Sequence, residues 1–199
     1  MIEVLYEDNH IIAVNKKSGD LVQGDKTGDK PLSESVKDYL RNKYNKPGNV
    51  FCGVIHRLDR PVSGLVLFAK TSKALSRMNE LFRTKSIQKT YWAIVENAPR
   101  KAHGTLEHYL IKNQQKNKSN AYLKPHKGAL KAVLNYKTLK HLDRYTLLEI
   151  NPISGRHHQI RVQLSTINSV IKGDLKYGAK RSNKDASICL HAREINFVH

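Results

Sequence analysis

Apolar and polar positions change their period several times along this chain, and each change marks an element. VLYE (4–7) and HIIAVNK (10–16) are rich in β-branched and aromatic residues, which predicts two short strands joined at Asp8-Asn9, with a turn at Ser18-Gly19. PLSESVKDYLRNKY (31–44) spaces Leu32, Val36, Tyr39 and Leu40 as one helical face, with Pro31 near its start. GLVLFAK (64–70) is a continuous apolar strand. TSKALSRMNELFRTK (71–85) gathers Ala74, Leu75, Met78, Leu81 and Phe82 on one side of a helix, with Thr71 or Ser72 available as N-cap. That stripe reads as core, with no ligand role for Met78.

KTYWAIVE (89–96) alternates as a strand, Tyr91, Ala93 and Val95 on one side and Trp92 and Ile94 on the other. GTLEHYLI, KAVLNYKTLK and RYTLLEIN follow as antiparallel strands, the first set apart by a lysine- and amide-rich stretch, KNQQKNKSN (112–120), expected to be a mobile loop. SGRHHQIRVQLSTIN (154–168) sets Ile160, Leu164 and Ile167 at helical spacing, which predicts a short helix after Ser154-Gly155. KGDLKYGAK reads as a loop and ASICLHAREINF as a last strand. With no internal repeat and no linker, residues 1–199 are expected to form one α+β domain with a largely antiparallel sheet.

Composition narrows the class. No apolar run approaches the ~20 residues that span a bilayer, and the acidic start MIEVLYEDN lacks the pattern of a signal peptide. A cytoplasmic protein is expected, with no membrane partner. Cys52 and Cys189 form no disulfide framework and are expected to be free thiols. Charge adds more: 35 Lys+Arg against 17 Asp+Glu leave a net +18, an argument for a polyanionic partner such as nucleic acid. The excess is uneven, since residues 101–140 hold nine lysines and one acid, whereas residues 1–30 hold four lysines and six acids. A solvated lysine-rich face kept for solubility would account for the same counts.

Three clusters carry candidate chemistry, and none decides alone. In HRLDRPVSG (56–64), Asp59 lies between Arg57 and Arg60 with His56 upstream. Locally, this fits a salt-bridged loop better than a catalyst, and the His spacing matches no strong metal motif. In GRHHQIR, Arg156 and Arg161 lie about 140° apart around a regular helix, as at a phosphate-binding helix start or on a solvated face. Tyr91 on a strand face is more often core than functional.

Taken in order, HRLDRPVSG, KTYWAIVE, GRHHQIRVQL, IKGDLKYG and ICLHA resemble the RluA-type family of RNA pseudouridine synthases, as does the opening VLYEDNHIIAVNKKSG. The resemblance covers nearly the whole chain. It implies an α+β synthase domain, a mainly antiparallel mixed sheet flanked by helices around a central cleft. It implies Asp59 as the catalytic carboxylate, Tyr91 as the ring at the uracil and Arg161 as the basic partner, with Arg57 helping to flip the base. No nucleotide or metal cofactor is expected, because the isomerisation is redox-neutral and needs no group donor. The partner would be structured RNA, ribosomal or transfer, contacted by Arg57, Arg60, Arg156, His157, Lys112, Lys116, Lys118, Lys124 and Lys127. A monomer with no separate RNA-binding module is expected.

The chain departs from the family pattern in places. The usual NKPxG reads Asn15-Lys16-Lys17-Ser18-Gly19, Val62 replaces a frequent threonine, Gln163 replaces the histidine that often follows HQIRV, and the chain stops at Phe197-Val198-His199. A non-catalytic RNA-binding or ribosome-assembly protein on the same fold would share the charge, without requiring Asp59, Tyr91 and Arg161 to converge. A metal-dependent nuclease would instead need a His/Asp cluster.

Overall fold

The hairpin expected at the start of the chain forms as β1 (Glu3–Glu7) and β2 (Ile11–Lys16). Its turn is closed by the Asp8 carboxylate, which accepts from the N–H groups of His10 and Ile11, both at 2.7 Å. The computed structural model describes residues 2–25 and 27–198, so His199 at the chain end lies outside the described residues. Two compact units divide the chain, Met1–Ile87 and Gln88–His199.

In the first unit β2 pairs with β1 on one side and with β4 (Ser63–Ala69) on the other, and the short β3 (Gly53–Val54) also pairs with β4. Helix α1 (Leu32–Lys43) has no side-chain cap at Pro31. Backbone carbonyls replace it: Leu32 and Ser33 N–H donate to Leu21 and Val22 O, satisfying two donors that a helix start leaves open. Val36 and Leu40 of α1 pack with Ile12, Val14, Val66 and Phe68 into one core. Helix α2 (Ser72–Arg83) is capped by the Thr71 hydroxyl, which accepts from Ala74 N–H at 3.1 Å. Of its expected stripe, Ala74 and Met78 are fully buried, while Leu75, Leu81 and Phe82 are half-buried.

In the second unit the strand order is β10 (Leu190–Asn196), β5 (Gln88–Val95), β9 (Thr146–Pro152), β8 (Leu130–His141), β6 (His103–Asn113) and β7 (Lys118–Tyr122). Among the described residues the pairings in each unit are antiparallel. The stretch expected to be a loop, 112–120, is corrected here: Lys112 and Asn113 end β6, Lys118 starts β7, and only Gln114–Asn117 turn between them. Helix α3 (Gln159–Thr166) also starts later than expected, after His158 in a left-handed conformation with φ 52°. Arg156 therefore precedes the helix, and Ile167 lies just past its end, so the angular separation expected of Arg156 and Arg161 does not apply. Within this unit Val162 and Tyr177 pack against Leu110 and Ala132 on the sheet face that α3 covers.

Among the described residues, no helix is long and apolar enough to cross a membrane.

Candidate active site

Asp59 sits in the first unit, at the head of a turn closed by Val62 N–H donating to Asp59 O at 3.0 Å. The departing motif NKKSG lies behind that turn and takes up the carbonyls that follow. Gly19 N–H donates to Arg60 O at 2.9 Å, and the Ser18 hydroxyl to Pro61 O at 3.1 Å. The Lys16 ammonium donates to Lys17, Arg60 and Val62 O at 3.0, 3.1 and 2.6 Å. Every carbonyl from Asp59 to Val62 thus has a donor, which fixes the backbone that presents Asp59.

Lys16 is a functional candidate that sequence reasoning missed. It has 0% exposure, on the same strand face as Ile12 and Val14 at equal burial. Burial pushes its ammonium down to about 8, while the carboxylates of Asp20 and Asp59 act in the opposite direction. It therefore stays charged at neutral pH, a cation in the field of Asp59 from its own unit. Period-two spacing in IIAVNK was the available signal, because Ile12, Val14 and Lys16 must share a face.

Elsewhere in HRLDRPVSG, His56 and Val62 have packing roles, whereas Arg57 and Arg60 reach the surface. His56 Nε2 accepts from Leu67 N–H at 3.1 Å, and its ring stacks on Phe82 with centroids 5.3 Å apart, which ties the loop to β4 and α2. Val62 is 2% exposed, so its methyl groups are buried where the resemblance leads one to expect a threonine. Arg57 is exposed. Arg60 is also exposed, and its guanidinium meets Asp29 at 2.8 Å, a pairing that sequence reasoning did not anticipate.

Tyr91 and Arg161 belong to the second unit. Tyr91 is half-buried on β5, opposite Ile150 on β9 and Ala192 on β10. Arg161, the third residue of α3, is 5% exposed and binds Asp174 in a fork, Nε to Oδ2 at 2.7 Å and Nη2 to Oδ1 at 2.8 Å. Asp174 is itself 1% exposed, and its backbone accepts from Tyr177 and Ala179 N–H. The glycine before it is required. Gly173 has φ +88°, and a Cβ there would stand 2.7 Å from Ser187 O. The Tyr177 ring lies 5.2 Å from the Arg161 guanidinium and 5.0 Å from Lys118 Nζ. Asp174 and Tyr177 both come from IKGDLKYG, a block that sequence reading left without assigned roles.

Several of the residues expected to touch RNA gather around Tyr177. Its hydroxyl accepts from Ser119 N–H at 2.8 Å and lies 2.9 Å from His158 Nδ1. His157 stacks on His158 with centroids 3.8 Å apart and reaches the Ser119 hydroxyl and Asn117. Lys118 adjoins this cluster, and the Lys112 and Lys176 charges act on His158. Arg156 donates to Lys131 O at 3.2 Å. Lys116, Lys124 and Lys127 are exposed in the turns flanking β7. Gln163 binds α3 to the sheet, its amide donating to Leu106 and Ala132 O at 3.0 and 3.2 Å. Among the described residues, no three of His, Cys, Asp or Glu group as a cation site requires.

Burial, helped by the charges of Arg161, His157, Lys176 and Lys112, pushes the His158 imidazole down to about 2. The unfolded chain takes up this proton near pH 6.5 and the folded chain does not, so stability falls as pH drops below 6.5. The expected slope from this group is about 1.4 kcal/mol per pH unit, or about 2 kcal/mol between pH 6.5 and 5. Denaturant unfolding of His158→Asn at both values should show that much less acid sensitivity than the unaltered protein.

The α+β fold of antiparallel strands carries a buttressed aspartate loop in its first unit and a buried arginine near a helix start in its second. Residues 10–166 match the model of the RNA pseudouridylate synthase family, and the chain belongs to that family, whose members isomerise uridine to pseudouridine in RNA. It is 33% identical to the tRNA pseudouridine synthase C of Vibrio vulnificus, over 100% of this chain and 86% of that protein. It is 35% identical to the ribosomal large subunit pseudouridine synthase C of Buchnera aphidicola, over 98% of this chain and 62% of that protein. The human RNA pseudouridylate synthase domain containing 4 shares the fold, with TM-score 0.83 at 24% identity, over 98% of this chain and 84% of that one.

Proposed function

We propose that this chain acts on uridines of transfer RNA or large-subunit ribosomal RNA, with residues 1–199 working as one catalytic domain and Asp59, Tyr91 and Arg161 as its reacting groups. In the reaction the N1–C1′ bond breaks, the uracil turns, C5 joins C1′, and the C5 proton leaves. Asp59 serves at the ribose, as nucleophile on C1′ or as base on the sugar. Tyr91 stacks on the uracil and relays a proton, and Arg161 is the basic partner that contributes positive charge to the reaction. The target uridine must leave its stack, at a cost of a few kcal/mol. Arg57 fills the vacated place, and phosphate contacts from Arg60, Arg156, His157, Lys112, Lys116, Lys118, Lys124 and Lys127 offset that cost.

The observation that carries the assignment is the run of donors on the Asp59–Val62 carbonyls. So much backbone fixation around one half-buried acid suits a group that must meet its substrate in a set geometry. The test is pseudouridine mapping of transfer and ribosomal RNA incubated with the purified protein. New pseudouridine in one of them names the substrate, and none in either defeats the reading.

The lysine assignment has its own test. Replacing Lys112, Lys116, Lys118, Lys124 and Lys127 by glutamine should weaken RNA binding. The slope of log K against log salt should flatten by about 0.7–0.9 for each phosphate that is no longer neutralised. Unchanged affinity and slope would make these lysines a solvated face.

A further inference from the structure

Strands β6, β7 and β8 carry a second set of side chains on the face away from α3. Leu110, Ala121 and Ala132 point toward the packed side with Val162 and Tyr177, so their strand neighbours Tyr109, Tyr122 and Lys131 share the opposite face. These three stand in one row, because Tyr109 is paired with Tyr122 on β7 and with Lys131 on β8. The row is extended by His126, whose ring lies parallel to that of Tyr122, with centroids 4.3 Å apart and planes 7° apart.

The loop holding His126 has a defined turn. Ala129 N–H donates to His126 O at 2.9 Å, and Gly128 takes φ +78° at the position where a type II turn needs it. His126 is exposed, so the ring face turned from Tyr122 is open to a further planar group. Leu123, next to Tyr122 in the chain, is a large apolar side chain 82% exposed. The same turn holds the exposed cations Lys124 and Lys127, while Lys131 in the row meets Glu107 at 2.7 Å.

Stacked rings, a bare leucine and surplus lysines together match the chemistry of unpaired nucleotides, whose bases stack and whose phosphates need cations. A folded protein partner would match the leucine but not the charge. We propose that the β7–β8 turn is a second RNA contact, on which an unpaired base flanking the modified element continues the Tyr122–His126 stack. Lys124 and Lys127 then take the adjoining phosphates, and Leu123 covers the sugar. Strand β7 ends the strand order of its unit, so an RNA held by Lys112 and His157 on one face reaches the platform by crossing a single strand. The proposal rests on the RNA-modifying reading above and adds that substrates with an unpaired flank are preferred.

The test compares a substrate hairpin RNA carrying an unpaired flank with the same hairpin trimmed flush, by fluorescence anisotropy and by pseudouridine formation. His126→Ala should weaken binding of the flanked RNA about tenfold, leave the flush RNA unchanged, and raise KM without changing kcat. His126→Phe, which keeps a ring in place, should bind the flanked RNA as the unaltered protein does. Equal affinity of His126→Ala and the unaltered protein for the flanked RNA overturns the proposal. So does equal weakening on both RNAs, or a phenylalanine variant as weak as the alanine one. If the unaltered protein forms no pseudouridine in either RNA, the functional reading fails, whatever the His126 series shows.

Discussion

Asp59→Asn should eliminate tritium release from C5-labelled uridine in RNA, a loss of about 10⁴-fold or more, the scale on which removal of a reacting side chain acts. The amide keeps the size of the carboxylate but cannot serve as nucleophile or base. Its loop should keep its shape, because the donors that fix it end on backbone carbonyls: Val62 N–H on Asp59 O, Gly19 N–H and Lys16 Nζ on Arg60 O, the Ser18 hydroxyl on Pro61 O. RNA binding should be retained, since one carboxylate fewer on a chain of net charge +18 does not weaken attraction to phosphate. Activity and affinity thus separate, and both are read on one preparation, by tritium release and by filter binding. Turnover within tenfold of the unaltered protein would remove Asp59 from the reaction. Lost turnover with lost affinity would mean that the substitution disturbed the fold.

The parts of this protein that could be read from its sequence are those in which burial imposes a period. GLVLFAK and KTYWAIVE formed as expected, and the α2 helix formed with part of its stripe buried, because apolar residues on one face have few alternatives. Strand β7 was missed for the complementary reason. KSNAY lies at the end of the strand order, and its buried position is Ser119 while Lys118 and Asn120 flank it, so hydrophobicity does not alternate enough to mark it. What holds the Asp59 loop was hidden differently. Lys16 reads as one more surface lysine in a basic chain, until the strand register forces it onto the face of Ile12 and Val14. Asp174 and Tyr177 were quoted as a block, but pairing across chain distance is a property of the folded chain. Composition could not show that one of 17 acids is buried against Arg161.

That buried pair gives the largest expected effect on stability. Asp174→Asn removes the charge from a side chain 1% exposed that holds both Nε and Nη2 of an arginine 5% exposed. A guanidinium cannot shed its proton to escape, so it remains charged with its forked partner gone. Breaking a buried pair from one side costs about 3–5 kcal/mol. For a chain of this size, that lowers Tm by roughly 10 °C. Pseudouridine formation should fall with it even where the variant is fully folded, since the fork sets the direction of Arg161. The double variant Asp174→Asn/Arg161→Met separates the two effects. With both charges gone, no buried ion is left uncompensated, and stability should recover by about 2 kcal/mol or more relative to Asp174→Asn. Activity should stay lost, because a thioether supplies no positive charge. Calorimetry and tritium release on the single and double variants decide it. A double variant no more stable than Asp174→Asn would show that the cost arose in the Gly173–Ala179 turn and not from the unpaired arginine. Recovered activity would remove Arg161 from the site.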